Sequence, residues 1–475
     1  MSRLLKAGAA ARDITPQLGM PPLGVPALGV PLAGAFTARY AEGVEDALHA
    51  RAVVLEDERG PESRVAVVCC DLICMPGETV HAARELIERA GDVPPGRVFV
   101  AATHTHTAPA PTGLLGTPRA DAYMDALPEE IAAAVRDAAR GLRLARAGWG
   151  TGRVEGVTFN RRFRMRDGTV RMNPGRRNAD ALEPVGPVDP ELGVVWVEEG
   201  GSPERRPIAA IGCFALHYVG TDNSRHVSAD YFGRYAGWLR RAYGSEWVAM
   251  LLNGTSGDIN NVDVREVNPT GGARQAERVA GMLAGETIKV AEGLRTTTDA
   301  RLEVASERVR FRRKTITAED LRVAERILAV PAEVPDAELR KRTGIGDGGS
   351  FSWVVGEPLR ASVLRAYARE CQLVAELPEE LDTEVMAVRI GEAALVGLPG
   401  EIFVELGLAI KARSPFGTTL VASLANDYVG YVPTRRAQLE EGGYETWAAR
   451  SALPDAGTGE VMVETAVRLL ERLAA

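Results

Sequence analysis

The chain has 475 residues, 45% of them hydrophobic and 25% charged, enough apolar side chain for a large core and unlike a disordered or fibrous sequence. A net charge of −8 disfavours attraction to phosphate backbones or anionic lipid, so no nucleic-acid partner and no stable membrane association are expected. No apolar run approaches the ~20 residues of a membrane span, and Lys6 interrupts the opening segment MSRLLKAGAAARDITP where a signal-peptide core would lie. The expectation is a cytoplasmic protein acting on a small molecule. Five cysteines in a chain this long, without disulfide-like or paired zinc spacing, read as buried thiols, with Cys69, Cys70 and Cys74 in or just after the run VAVVCCDLICM.

In chain order, short apolar runs alternate with helical patterns: ARAVVL, VAVVCCDLI, the helix ETVHAARELIERA, then RVFVAATHTH. Further strand candidates are ELGVVWVEE, PIAAIGCFAL, WVAMLLN, RLEVASERVRF, TEVMAVRIG with AALVGL, and TTLVASL. Helices are expected over Ala229–Tyr243, Arg274–Gly293, Ala318–Ala329, Leu359–Leu373, Ile402–Ala412 and Glu460–Leu473. The rhythm predicts an α/β protein with a buried sheet. No internal repeat is visible and no linker cuts the chain, so residues 1–475 read as one large domain with a helical insertion over 315–380. The Gly- and Pro-rich segment PQLGMPPLGVPALGVPLAGAF fits neither helix nor strand and reads as coil covering a site. Substrate specificity is assigned to loops 17–35 and 330–360.

Two of the six histidines, His104 and His106, stand in AATHTHTAP at a predicted strand end, where an i, i+2 spacing turns both imidazoles to one face. A metal site, a pair of satisfied polar histidines and a metal-free active pair are the three readings. The first is favoured because the pair exits a buried strand beside a Pro/Gly loop. The amidohydrolase barrel is disfavoured because no lysine lies between Lys6 and Lys289 to form a bridging carbamate. The metallo-β-lactamase pattern fails because TAP follows HTH. His217, at the exit of PIAAIGCFAL, is the best additional ligand; His226 lies in a loop, and His49 and His81 read as structural or exposed. In WVAMLLNGTSGDINNVD the Gly254 and Gly257 turn invites comparison with a nucleophile elbow, but G-T-S-G is not G-x-S-x-G, so Ser256 is not expected to act as nucleophile. Asp258 is read as an orienting carboxylate or a turn residue.

Together AGAAARDITP, AATHTHTAP, FNRRF, the His217 strand, NGTSGDINN, LPGE and ANDYVGYVPT resemble, in order, the catalytic domain of the neutral (non-lysosomal) ceramidases. The resemblance implies a mixed central sheet flanked by helices, a Zn2+ ion as cofactor, and His104, His217, Glu401 and Tyr431 as its ligands, with Tyr428 the less favoured tyrosine. It implies His106 as the residue that exchanges a proton with the leaving group, and Arg161 and Tyr444 as the pair that hold the substrate carbonyl. Two departures stand out. The ceramidases' Gly-Asp-Val-Ser-Pro-Asn reads here Gly-Asp-Ile-Asn-Asn-Val, which puts Asn260 in place of the Ser. Their carboxy-terminal immunoglobulin-like domain is also not expected in this chain. The implied activity is zinc-dependent hydrolysis of an amide, or a related polar bond, in a soluble small molecule. Ester or glycoside cleavage on the same scaffold, and a non-catalytic zinc-containing binding protein, are the alternatives.

Overall fold

A strand whose two faces are both apolar must be covered on both sides, and the runs around Val53, Val67 and Val195 are of that kind. The structure is a computed structural model and describes residues 4–18, 29–201, 205–244, 246–266, 271–345, 351 and 360–475. Eight strands form a mixed sheet: β1 (Lys6–Asp13), β2 (His49–Glu56), β3 (Val65–Cys70), β4 (Val98–Ala102), β5 (Arg143–Arg153), β6 (Glu191–Glu199), β7 (Pro207–Phe214) and β8 (Val248–Asn253), in the order β8-β7-β6-β5-β1-β2-β3-β4. Four more, β9 (Leu302–Arg312), β10 (Glu380–Ile390), β11 (Ala393–Gly397) and β12 (Thr418–Ala422), form a second sheet. The helices are α1 (Gly77–Ala90), α2 (Asp121–Arg140), α3 (Asp230–Tyr243), α4 (Gly272–Gly293), α5 (Ala318–Leu328), α6 (Asp336–Thr343), α7 (Ala361–Glu376), α8 (Val404–Arg413) and α9 (Thr458–Ala474).

The fold class is the expected α/β arrangement with a mixed sheet flanked by helices, and the second sheet is the addition. Side chains alternate across each strand. On β2, Ala52 and Val54 face a layer made by α1 and α2, whereas Val53 and Leu55 face the second sheet and meet Met386, Val388 and Leu395. On β6, Val194 and Trp196 pack under α3 and α4 while Val195 and Val197 join the inter-sheet core. The outer face of the second sheet is covered by α8 and α9 through Leu406, Ile410, Met462 and Ala466. The result is four layers, helices, sheet, sheet, helices. The sequence pattern of a buried strand does not say whether its cover is a helix or another sheet.

The expected helices form with small shifts at their ends. Position 359, the expected start of one of them, lies outside the described residues, and α7 begins at Ala361. Helix α5 starts at a capping box in which Thr317 accepts from the Asp320 amide and Asp320 accepts from the Thr317 amide. Of the two loops assigned to specificity, residues 19–28, 346–350 and 352–359 lie outside the described residues. The described part of the 315–380 segment is helical, α5 to α7, and its core packs on Phe36, Leu115, Tyr444 and Trp447. All five cysteines are buried free thiols, as expected.

Most neighbouring strands are antiparallel. Within the two sheets three pairs are parallel, β3 with β4, β7 with β8, and β11 with β12. Each parallel pair needs a crossover, supplied by α1, α3 and α8 respectively. The carboxyl ends of all three pairs are stitched together: Ala102 N donates to Leu424 O at 3.2 Å, and Ser423 N donates to Asn253 O at 2.9 Å. Ligand sites in α/β folds form where such strand ends meet, and here three sets of ends converge.

Candidate active site

His104 follows β4, and the chain there is held by its own backbone: Thr103 N donates to Cys70 O at 3.0 Å and His104 N to Leu72 O at 2.7 Å. The His-Thr-His segment is outside the strand, and His104 has a left-handed φ of +76°. The two imidazoles therefore do not share a strand face, contrary to the expectation from their i, i+2 spacing. The two rings approach, with centroids 5.0 Å apart and planes nearly perpendicular, because a turn brings them together. His104 Nδ1 lies 2.6 Å from Ile73 O, which makes it the N–H donor and leaves Nε2 with a lone pair directed elsewhere.

His217 lies three residues beyond β7. Its Nε2 is 2.9 Å from His106 Nε2, and its Nδ1 is 3.1 Å from Arg161 Nη1 and 3.7 Å from Glu401 Oε2. Glu401 leaves the end of β11 in a two-residue strand that pairs in parallel with Tyr431–Val432, so that Glu401 and Tyr431 are direct cross-strand neighbours. The pairing requires close backbone approach: a Cβ on Gly400 would sit 2.5 Å from Gly430 O. Glu401 Oε1 accepts from Tyr428 Oη at 2.9 Å. Glu401 Oε2 stands 3.3 Å from His104 Nε2, and both atoms are buried without a hydrogen-bond partner.

These positions fit a metal ion. Two donors on a tetrahedral zinc with arms of ~2.0–2.1 Å are separated by roughly 3.3–3.4 Å, the spacing found between the two unpartnered atoms. His104, His106 and His217 also form a buried group whose ligand nitrogens lie within 4.8 Å of one another, able to hold a metal ion. Burial, with His104 and Arg161 beside it, holds His217 well below the usual histidine range, and burial with His104 pushes His106 down to about 3. Both are neutral near pH 7, as metal ligation requires. Burial alone would raise the Glu401 carboxyl, but His104, Tyr431 and Arg161 outweigh it and hold it below the usual value, so it is anionic.

Arg161 follows the short strand Phe159–Asn160, which pairs with Ile259–Asn260, and its amide donates to Asp258 O at 3.0 Å. The guanidinium is buried and meets Glu445 Oε1 at 2.8 Å, Gly257 O at 2.8 Å and His217 Nδ1. It also lies over the Tyr431 ring, 5.4 Å from its centroid. Tyr444 stands edge-on to Tyr431 and to Phe36 at 5.4 and 5.9 Å between centroids, forming one wall of the cavity. Asn260 is buried, lines the cavity and donates to Asn173 Oδ1 at 3.3 Å.

The structure thus brings together His104, His106, His217, Glu401, Tyr431, Tyr428, Arg161, Tyr444 and Asn260. Asp258 is not among them. Its Oδ1 accepts from the Val404 amide at 2.8 Å and its Oδ2 from Asn160 Nδ2 at 3.0 Å, behind the cavity wall, so it holds the start of α8 against the Arg161 strand. Burial raises its carboxyl to about 6. Ser256 is buried and lines neither lobe of the cavity. His226 pairs with Gly43 in a short parallel bridge and His81 is exposed beside Glu85. His49 lies near Arg51 and Asp71.

Three contributors escaped the sequence reading. Glu445 is fully buried and neutralises Arg161, a role no local pattern announces for the residue after Tyr444. Gly34, with φ +88°, passes so close to His106 that a Cβ would fall 2.7 Å from its Nδ1. Arg39 Nη2 donates to His106 O at 2.8 Å. The coil expected to cover a site does so in its described part, where Ala33, Gly34 and Phe36 line the cavity. Among the described residues no helix is long and apolar enough to cross a membrane.

No protein-family model matches the chain, and no curated protein matches it. Among solved structures it is similar to neutral ceramidase from Pseudomonas aeruginosa, with a TM-score of 0.69 and 18% sequence identity, covering 99% of this chain and 75% of that one. It is also similar to a ceramidase complexed with C2, with a TM-score of 0.67 and 18% identity, covering 99% of this chain and 76% of that one. Likeness along the whole chain at this level shows that the protein has the neutral ceramidase-like fold.

Proposed function

We propose that the protein is a zinc-dependent hydrolase that cleaves an amide in a soluble small molecule. The observation that carries this reading is the pair of buried, unpartnered atoms His104 Nε2 and Glu401 Oε2, 3.3 Å apart and facing His217 Nδ1. Left without an ion, two such polar atoms cost several kcal/mol in order of magnitude. His104, His217, Glu401 and Tyr431 would hold the zinc, with His106 beside them. When bound, zinc supplies Lewis acidity and a nucleophilic water at neutral pH.

The chain's own residues do the rest. His106, neutral at rest, accepts the proton of the attacking water and passes it to the leaving amine. Arg161, held by Glu445, Gly257 and Tyr431, presents its guanidinium as donor to the substrate oxygen. Tyr444 faces the same space and Asn260 meets the polar end of the substrate. Asn260 in place of a hydroxyl, and an apolar lobe of only about 100 Å³ between Ile73, Cys74 and Leu115, favour a compact polar substrate over long-chain ceramide. An apolar cavity of ~150 Å³ accepts benzene, so the lobe suits a short acyl group.

The test is to load purified protein with zinc, measure stoichiometry, and screen N-acyl amines, N-acyl amino acids, esters, aryl glycosides and detergent-solubilised ceramide. One zinc per chain and chelator-sensitive release of amine from a small amide support the proposal. Faster turnover of long-chain ceramide than of every soluble compound defeats the substrate assignment, and absence of bound zinc defeats the mechanism.

A further inference from the structure

Two adjacent lobes share His106, Tyr431 and Tyr444 in their walls. Beyond the apolar lobe lies a polar one of about 330 Å³, with Arg39, Thr107, Asn173, Thr221, Ser224 and Asn260 on its walls. Two guanidinium groups border it. Arg161 is neutralised by Glu445 at 2.8 Å. Arg39 is not neutralised: its three protein contacts are carbonyl oxygens, those of Ala33, His106 and Ser224, and no carboxylate pairs with it among the described residues.

That absence is unusual for a half-buried arginine. Removing a cation from water is unfavourable unless an anion or a dense set of acceptors replaces the lost hydration. Three carbonyls orient the group and leave two of its five N–H donors, Nε–H and one on Nη1, without a protein partner. Burial alone lowers the guanidinium's affinity for its proton, and no acidic neighbour restores it. The uncompensated charge lines the polar lobe beside His106.

We propose that Arg39 is the binding site for a substrate carboxylate, so that the substrate is a short-chain N-acyl amino acid whose acyl group fills the apolar lobe. This rests on the amide-hydrolase reading above and names its substrate class. An amino acid joined through its nitrogen to a small acyl group puts the scissile carbonyl where the lobes meet and its carboxylate on the Arg39 side. The Asn173 and Asn260 amides offer further donors to the same group. Hydrolysis adds water across the C–N bond, releasing the short carboxylic acid and the free amino acid.

The experiment compares N-acetylalanine with N-acetylalaninol, which keeps the amide and replaces the carboxylate by a neutral hydroxymethyl group. Amine release is followed with zinc-loaded protein, and N-octanoylalanine tests the acyl lobe. The expected result is a preference of tenfold or more in kcat/KM for the acid, as a charge-assisted contact provides, and slower turnover of the octanoyl compound than of the acetyl one. In Arg39→Met the acid-to-alcohol ratio should collapse toward one, and Arg39→Lys should restore part of it. A residue that only braces the His106 loop would lower both rates and leave the ratio unchanged, which overturns the proposal. So does a wild-type ratio near one, or faster cleavage of the octanoyl substrate. A calorimetric arm measures N-acetylalanine and N-acetylalaninol binding without turnover. Acid-selective binding that Arg39→Met abolishes, with no amine release from any amide, upholds the carboxylate site while defeating the hydrolase reading; equal binding of the two defeats the site.

Discussion

Replacing His104 with Ala separates the metal from the rest of the site. In the metal-free protein the substitution removes the contact to Ile73 O at 2.6 Å and leaves that carbonyl unpartnered, at a cost of about 1–3 kcal/mol. It also relieves the unpartnered His104 Nε2 beside Glu401, which offsets part of the loss. The metal contribution is read separately, as the increment zinc adds to each variant. For the wild type, free zinc at one hundred times its Kd adds about 2.7 kcal/mol to the unfolding free energy. The His104→Ala variant loses one of four proposed ligands, and at the same zinc concentration its increment should fall to near zero. His106→Ala should keep most of the increment and lose turnover, because His106 faces His217 Nε2 and not the gap between His104 and Glu401. The assay is urea unfolding with buffered zinc, paired with metal analysis of the desalted protein. Equal loss of zinc from both variants would mean that the three histidines bind as one set and that the division of labour argued above is wrong. An unchanged increment in His104→Ala would remove the site altogether.

Glu445→Ala should destabilise the protein by about 3–5 kcal/mol, since it strands the buried Arg161 beside Arg162; a loss under ~1 kcal/mol in urea unfolding contradicts the buried pair. The Asp258 carboxyl rises from 3.8 to about 6 on folding, so its contribution is fully present below 3.8 and is lost as pH rises through 6, a swing of about 3 kcal/mol. Measured at pH 4 and pH 7.5, the stability of the wild type relative to Asp258→Asn should fall by about 2.4 kcal/mol at the higher pH, since part of the swing is already spent at pH 4, and a pH-independent difference rejects the assignment. Ser256→Ala should retain at least a tenth of the activity, within about 1.4 kcal/mol of barrier, and a covalent adduct trapped on Ser256 would reverse that view.

What the sequence determined by itself is local. Alternating or continuous apolar runs set which segments are strands, and the 3.6-residue pattern set the helices, because both are fixed by the geometry of a few successive residues. It also put His104 and His217 at the ends of apolar runs, which is where α/β folds bind ligands, whereas Glu401 and Tyr431 came only from the resemblance. The tertiary structure alone decided what those ends face. A buried strand reads the same under a helix as under a second sheet, so the inter-sheet core of Val53 with Met386 and Leu395 was hidden. The left-handed turn at His104 replaced the strand geometry inferred for the pair, because the β4 exit is stitched to the β3 exit and not continued as a strand. Glu445, 284 positions from Arg161, and Arg39, 67 from His106, carry no local mark of their roles. A charge is classed as paired or unpaired by neighbours that only folding brings near, and for this reason only the structure shows Asp258 as a buried brace and Arg39 as a half-buried charge without a carboxylate partner among the described residues.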